Sequence, residues 1–267
     1  SALILSALNL RGKTKIIEKR NTRDHTERLM TYLKIKYKKT KLNQNSTAIE
    51  LNGPYEIKPK DLKVAGDPSS AAFFIVGALI IPKSAIILKN VSLNKTRIAF
   101  ISVLKKMGGK IKIKRTENIS GEDIGNVKVS YSSLTGVKIN ASSSPYLIDE
   151  YPILSIAASQ AKGSTIMEGL SELRHKESDR IKSITTNLSK LGFKVKSKND
   201  NISIQGNKNI KITKPMKIKT YSDHRIAMSF VILGLLYGKN LFVDDEACIS
   251  ISYPNFKEHL EKLSSIY

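Results

Sequence analysis

Apolar positions along the chain repeat at helical spacing and are then cut off by glycine. Ile181, Ile184, Leu188 and Leu191 step 3-4-3 before Gly192, and Ile98, Ile101, Leu104 and Met107 keep a similar spacing before Gly108. Each set predicts an amphipathic helix stopped by a residue that tolerates a left-handed backbone. Three longer apolar stretches rich in small residues line up with one another. They are "GDPSSAAFFIVGALIIPKSAIILKNV" from Gly66, "IDEYPILSIAASQAKGSTIMEGL" from Ile148 and "SDHRIAMSFVILGLLYGKNLFVDDE" from Ser222. Each opens on an aspartate (Asp67, Asp149, Asp223), at spacings of 82 and 74 residues. Each then runs through a helix-length apolar segment, a Gly or Lys turn and a short β-branched run. An aspartate there predicts a helix N-cap.

The repeat extends further. After the second helix come strand-like pairs separated by turn residues, "NVKVSYSSLTGVKINAS" and "FKVKSKNDNISIQG", which predict hairpins. The unit is helix, strand, helix, strand, strand, and its alternation favours an α/β or α+β layered fold. A fourth copy opens the chain. "SALILSALNLRGKTKII" supplies helix, turn and strand, "RDHTERLMTYLKI" the second helix, and "AIELNGPYEIKP" a hairpin. The first helix lacks a capping residue and the last copy stops after "PNFKEHLEKL" without its hairpin. The expectation is therefore the C-terminal part of a longer protein.

Charge changes the picture only in part. Lys+Arg is 45 against 23 Asp+Glu, a net +22. Such an excess suits nucleic acid, but the lysines are scattered through strands and loops and aromatics are only 6%. The rise of Lys together with Ile and Asn fits an AT-rich genome, with some need to attract anionic ligands. A single cysteine, Cys248, excludes an internal disulfide and fits a reducing, cytoplasmic setting. The run "IAMSFVILGLLYG" is too short to span a bilayer. Neither a nucleic-acid nor a membrane partner is expected.

The unusual charges gather at helix starts: Arg23 to Glu27 ("RDHTE"), Asp149, Arg174 to Arg180 ("RHKESDR") and Asp223 to Arg225 ("DHR"). Three of the four histidines, His25, His175 and His224, lie there too. Helix N-termini present N–H groups and a positive dipole end, which bind anions. Arginine adds bidentate capacity for phosphate or carboxylate. On a helix, Lys176 and Arg180 are i, i+4 neighbours and Glu177 and Arg180 are i, i+3, so an acid stands among cations. Asp149 and Glu177 are candidate acid and base. Against this, Asp67, Asp149 and Asp223 are each adequately explained as caps, and Glu177–Arg180 as a surface pair. The histidines fall in different copies without paired ligand spacing, so no metal site is expected.

In order, "RDHTE", "GDPSSAAFF", "IDEYPILSIAA", "LRHKESDRI", "SDHRIAMSF" and "SYPNF" resemble the motifs of the EPSP synthase (3-phosphoshikimate 1-carboxyvinyltransferase) family, across all 267 residues. The resemblance implies two domains built from βαβαββ units with the active site between them. Residues 1–65 would be a remnant of the N-terminal domain. Residues 66–267 would be a C-terminal domain of three units, the last incomplete. The implied reaction moves the enolpyruvyl group of phosphoenolpyruvate to the 5-hydroxyl of shikimate 3-phosphate and releases phosphate, with no metal or organic cofactor. In that scheme Asp149 is the base and Glu177 the acid. Asp149, Lys176, Arg180, Arg225 and Arg23 bind substrate, the two arginines 180 and 225 on phosphoenolpyruvate, and Asp223 and His224 support the site. Three family segments that hold both substrates have no match in the sequence, and Ile251 stands where many members have a lysine before "SYP". On that basis the chain alone is expected to be inactive, and a full-length enzyme to be monomeric and cytoplasmic. The sister transferase acting on a UDP-sugar shares the fold, but "RHKESDR" and "SDHR" favour the shikimate enzyme. A basic RNA-binding module is the other alternative weighed.

Overall fold

The computed structural model describes residues 1–19, 22–44 and 46–264. The first copy folds as α1 (Ala2–Ala7), β1 (Gly12–Glu18), α2 (His25–Tyr32), β2 (Lys38–Lys41) and β3 (Thr47–Gly53). The second runs α3 (Pro68–Ile80), β4 (Ala85–Ser92), α4 (Ala99–Lys106), β5 (Lys110–Ile119) and β6 (Glu122–Ser130). A short strand, β7 (Lys138–Ile139), leads into the third: α5 (Tyr151–Ser159), β8 (Gly163–Met167), α6 (Arg180–Lys190), β9 (Lys194–Lys198) and β10 (Asn201–Gly206). Another lead-in strand, β11 (Met216–Ile218), precedes α7 (His224–Gly234), β12 (Leu241–Val243), α8 (Ala247–Ser250) and α9 (Phe256–Ser264).

The sheets show the repetition most plainly. Their strand orders are β1-β3-β2, β4-β6-β5 and β7-β8-β10-β9. In each copy the last strand of the unit lies in the middle, antiparallel to both of its companions. The lead-in strands β7 and β11 pair in parallel with β8 and β12. The second copy keeps a trace of the same device in the parallel bridge from Gly66 to Val91. A parallel strand, a crossover helix and its partner strand form the βαβ unit of connection.

Two of the predicted hairpins are placed differently. "NVKVSYSSLTGVKINAS" does not fold on itself: β6 ends at Ser130 inside one sheet, and β7 joins another sheet beside β8. Leu134 is buried between them, and Gly136 lies against the Ser164 backbone so closely that a Cβ would clash. The true hairpin is β5–β6, turned at Ser120 and Gly121, both at positive φ. Likewise "AIELNGPYEIKP" supplies only β3, whose hairpin partner is the earlier β2. The "FKVKSKNDNISIQG" hairpin forms as β9–β10, with Asn199 at positive φ in a two-residue loop.

Burial divides among two apolar clusters. The larger surrounds α3, α5 and α7, which pack on one another and are buried on nearly every side. Small residues on these helices permit the close packing; Gly77 of α3 meets the Ile232 side chain of α7 at ordinary contact distance. Phe73, Phe74, Tyr253 and Phe256 fasten α9 to α3 with ring centroids 5.5 to 6.1 Å apart. Such pairs contribute about 0.5–1.5 kcal/mol each beyond buried area. The smaller cluster is Ile4, Ala7, Leu8, Met30, Ile35, Ile49 and Leu51, all within the first copy. That copy also exposes Leu3, Leu5, Leu10 and Ile17, each by more than half. No helix among the described residues is long and apolar enough to cross a membrane.

The strand order also gives part of the lysine excess a structural place. The outer strands β2, β5 and β9 carry Lys38, Lys39 and Lys41, then Lys110, Lys112 and Lys114, then Lys194, Lys196 and Lys198, all exposed. An outer strand has unpaired N–H and C=O groups, and lysine opposes its pairing with another chain. Changing Lys194, Lys196 and Lys198 together to Thr is expected to raise self-association, measured by light scattering against concentration. Unchanged scattering would show that β9 needs no such guard.

Candidate active site

The starts of α3, α5 and α7 meet at one end of the larger core. Ser69, in the first turn of α3, donates from Oγ to Glu150 Oε1 at 2.5 Å, and Arg225 of α7 donates from Nη1 to the Asp149 carbonyl at 3.1 Å. Asp67 and Asp223 are true N-caps: Asp67 accepts from the Ser69 and Ser70 amides, and Asp223 from those of Arg225 and Ile226. Asp149 is not. Glu150 occupies the N-cap position of α5 and makes no side-chain cap bond, with Pro152 in the first turn. The Asp149 carboxylate is therefore free to turn toward cations.

Four cations surround it. Arg23, in the loop before α2, donates to Oδ2; Lys176 and Arg180 lie 3.7 Å from Oδ1; Arg225 lies 3.8 Å from Oδ2. Burial alone would push this carboxyl up, but Arg225, Arg23 and Lys176 outweigh burial and hold it at about 2.

The segment "RHKESDR" is less helical than its spacing predicted. Ser171–His175 is a short 3-10 turn, and α6 starts only at Arg180, capped by Asp179. Lys176 and Arg180 are thus not helix neighbours; they meet across Asp149. Glu177 does meet Arg180, accepting from Nη2 at 2.5 Å, while its side chain stays about half exposed (49%). One guanidinium therefore stands between Asp149 and Glu177. The far edge of Arg180 is held by Asp223, with Nε to Oδ2 at 2.8 Å and Nη2 to Oδ1 at 3.2 Å. Arg180 is fully buried, and its Nη1 has no hydrogen-bond acceptor among the described residues. A buried guanidinium N–H without an acceptor is costly, so this donor is suited to an anion brought in beside Asp149.

The "DHR" segment is aimed by a strained turn. Tyr221 and Ser222 both have positive φ (57° and 54°), closed by the Asp223 amide on the Thr220 carbonyl at 3.1 Å. Asp244 anchors that turn by accepting from the Thr220 amide and hydroxyl at 2.8 and 2.7 Å. A left-handed non-glycine residue costs roughly 1–2 kcal/mol, and strain of this kind persists where surrounding contacts enforce it. His224, first in α7, is half-buried; burial, then Arg225, pushes its imidazole down, favouring the neutral ring. His25 is elsewhere, 2.5 Å from Glu122 at the contact between α2 and β6. His175 closes the 3-10 turn.

The sequence did not single out Glu150 or Arg97. Glu150 is buried beside the site, reached by Ser69 and by Arg225 at 3.9 Å. Arg97 donates to Asp67 and to Ser69, both at 2.8 Å. Glu150 hides inside an apolar word, "IDEYPILS", where only a charge with no exposed face to occupy gives it away. No group of His, Cys, Asp and Glu suited to a metal ion occurs among the described residues.

Fold and site together define a repeat-built protein with a cluster of paired cations and carboxylates at converging helix starts. The chain belongs to the EPSP synthase (3-phosphoshikimate 1-carboxyvinyltransferase) family, which it matches over residues 1–260. It is 43% identical to the 3-phosphoshikimate 1-carboxyvinyltransferase of Petrotoga mobilis over its whole length, and 40% identical to that of Sulfurihydrogenibium over 99% of it. It spans 60% of the length of each of these curated relatives. Among solved structures, EPSP synthase from Acinetobacter baumannii superposes with a TM-score of 0.88 at 33% identity, over 98% of this chain and 59% of that one. The enolpyruvyl transferase NikO from Streptomyces tendae, at 14% identity and a TM-score of 0.70 over 98% of this chain and 58% of that one, shares the fold.

A depressed carboxyl ties stability to pH. Asp149 at about 2, against an ordinary 3.8, adds stability that is complete above 3.8 and is lost as pH falls through 2. The shift corresponds to about 2 kcal/mol. Asp149→Asn is expected to be less stable than the parent at pH 7, with the gap shrinking by about that amount between pH 5 and pH 2. Urea unfolding at several pH values measures it, and a gap independent of pH would contradict the ion-pair assignment.

Proposed function

We propose that this chain carries the catalytic carboxylates and part of the substrate site of an enolpyruvyl transfer from phosphoenolpyruvate to the 5-hydroxyl of shikimate 3-phosphate, yielding 5-enolpyruvylshikimate 3-phosphate and phosphate. The observation that carries it is the buried Arg180, whose Nη1 faces Asp149 and has no hydrogen-bond acceptor among the described residues, in a ring of cations completed by Lys176, Arg225 and Arg23. The family match supplies the reaction class.

The chemistry is addition and then elimination. In the addition, Asp149 takes the proton of the attacking hydroxyl and Glu177 gives one to the methylene carbon of phosphoenolpyruvate. In the elimination, the C–O bond to phosphate breaks, a proton of the new methyl group returns to Glu177, and the phosphate leaves with the proton held by Asp149. A carboxylate held at about 2 is a feeble base. Arg23, though, is an exposed partner of Asp149 on a separate segment, and a phosphate that draws Arg23 away removes one of the interactions that depress the carboxyl. Arg180 and Arg225 hold the phosphate and carboxylate of phosphoenolpyruvate, and stabilise negative charge as the tetrahedral adduct forms and collapses. Lys176 and Arg23 serve the shikimate 3-phosphate side, while Asp223 fixes Arg180 and His224 borders the pair. The same proposal divides the chain at residue 65 into two domains, supported by the two separate apolar clusters, and takes the full-length enzyme to be a cytoplasmic monomer.

The test is phosphate release from phosphoenolpyruvate with shikimate 3-phosphate, catalysed by the gene product that contains this sequence. Asp149→Asn and Glu177→Gln are each expected to lower kcat on the order of 100- to 10,000-fold with little change in KM. Arg225→Ala is expected chiefly to raise the KM for phosphoenolpyruvate. Parental turnover in either carboxylate variant would reject the assignment.

A further inference from the structure

Of the four cations around Asp149, Arg23 alone comes from the first copy. Its side chain is 40% exposed and has one polar partner among the described residues, Asp149 itself. An exposed guanidinium on a loop is not held in place by its own packing. It is placed by the helix that follows it. The second copy holds α2 from end to end. Asp24, in the N-cap position, accepts from Asn94 Nδ2 at 2.7 Å, and His25 Nδ1 lies 2.5 Å from Glu122 Oε1. Further along, Gly121 abuts the Arg28 carbonyl and the Tyr32 side chain so closely that an added Cβ would lie 2.9 Å from the former.

The contact nearest to Arg23 is the one made by Asn94, which is 1% exposed. Its Oδ1 accepts from the Thr96 amide at 2.9 Å and the Thr96 hydroxyl at 2.8 Å. A backbone N–H can only donate, so the oxygen end must face Thr96 and the NH2 end must face Asp24. One N–H goes to Asp24, and the nitrogen lies 3.4 Å from both His25 Nδ1 and Glu122 Oε1. Asp24 takes a second bond from Arg28 Nε at 3.0 Å. Burial would raise the Asp24 carboxyl, but Arg28 and Asn94 outweigh it and hold it below its ordinary value. Asn94 also belongs to a closed turn. Its carbonyl accepts from the Arg97 and Ile98 amides at 2.8 and 3.1 Å, and Arg97 holds Asp67 and Ser69 at the start of α3. The four residues "NKTR" therefore fasten the start of α2 at one end and the start of α3 at the other. We infer that Asn94 is a positioning residue that acts through Arg23, fixing the start of α2 on the second copy so that the guanidinium one residue upstream meets Asp149. This rests on the reading of Arg23 as a ligand of shikimate 3-phosphate.

Asn94→Asp keeps the shape and both bonds from Thr96, but sets a new carboxylate against Asp24 and Glu122. Asp24→Ala cuts the same contact from the other side and leaves the "NKTR" turn untouched, which covers the case in which Asn94→Asp does not fold. The first readout needs no ligand. It is the rate at which phenylglyoxal modifies individual arginines of the 1–267 chain, followed by mass spectrometry. In either variant Arg23 is expected to react faster than in the parent, approaching its rate in Asp149→Ala, while Arg180 and Arg225 keep their parental rates. The second is a double-mutant cycle in the gene product that contains this sequence. Either variant is expected to raise the KM for shikimate 3-phosphate about tenfold when Arg23 is present, the worth of one charge-assisted bond, and by less than about twofold in Arg23→Ala. An Arg23 rate in Asp24→Ala that stays parental, or that rises only in step with Arg180 and Arg225, overturns the inference, as does an equal rise in KM in both backgrounds. If Arg23→Ala keeps the parental KM for shikimate 3-phosphate, the functional reading of Arg23 fails instead, and the modification rate decides the role of Asn94 by itself.

Discussion

The site depends on one buried ion pair, Arg180 with Asp223, in which neither side chain has any exposure. Removing two charges from water is expensive, and the attraction between them repays it only when geometry and further hydrogen bonds are good. Here they are. Asp223 accepts from Nε and Nη2 of Arg180, from Ser178 Oγ, and from two amides at the start of α7. Burial would raise the Asp223 carboxyl, but Arg180 and then Ser178 reverse the direction and keep it ionised. One carboxylate thus joins the starts of α6 and α7. Its partner guanidinium also donates to Glu177 from Nη2 and brings Nη1 within 3.7 Å of Asp149. Removing either member would strand the other as a buried charge, at a cost of about 3–5 kcal/mol.

From that pair the rest of the constellation can be built outward. Three nearly all-apolar helices leave no room for charge along their lengths, so charge collects where they begin. Those ends also carry N–H groups and positive dipole ends, which attract carboxylates. Asp67 and Asp223 settle there as caps, and Glu150 as a buried counter-charge. Asp149 escapes capping because Glu150 takes that position, and so becomes the carboxylate on which the cations converge.

How much of this the sequence disclosed follows from the range of each interaction. Helix ends marked by Gly108 and Gly192 were legible because the signal is local, and both glycines do adopt positive φ. The β9–β10 hairpin was legible for the same reason, its turn lying within two residues. Two hairpins were misplaced because partners of β6 and β3 are chosen by the sheet, not by the nearest turn residues. The charged segments could be grouped by their equivalence in the repeat. Repeat equivalence also misled, for it made Asp149 a cap like its counterparts. The local difference is a single residue of register, with Glu150 in the cap position, and the cations that claim Asp149 instead, Arg23, Arg180 and Arg225, come from three distant parts of the chain. Glu150 was hidden more completely, as a charge inside an apolar run whose partners, Ser69 and Arg225, are both distant in sequence. The lysines illustrate the reverse. Composition suggested a genomic bias, yet strand order puts three on each of the outer strands β2, β5 and β9, where exposed N–H and C=O groups most need a guard.

The charges in the site finally constrain how it can work. Arg23, Lys176, Arg180 and Arg225 are matched by Asp149, Glu150, Glu177 and Asp223, so the cluster is close to neutral without a ligand. An arriving anion therefore gains little from net charge and must instead compete for individual donors. The donors differ in how firmly they are held. Arg180 is locked by Asp223 and offers Nη1 without moving. Arg225 is held by the Asp149 carbonyl, with Glu150 3.9 Å away, and Arg23 is exposed and bound, among the described residues, to Asp149 alone. Arg23 is thus the easiest to detach, and it is also among the groups that most depress Asp149. In the proposed reaction, an anion that recruits Arg23 would relieve Asp149 of one of the interactions that depress it, so that its basicity would stay low until a charged substrate takes the loosest of its partners.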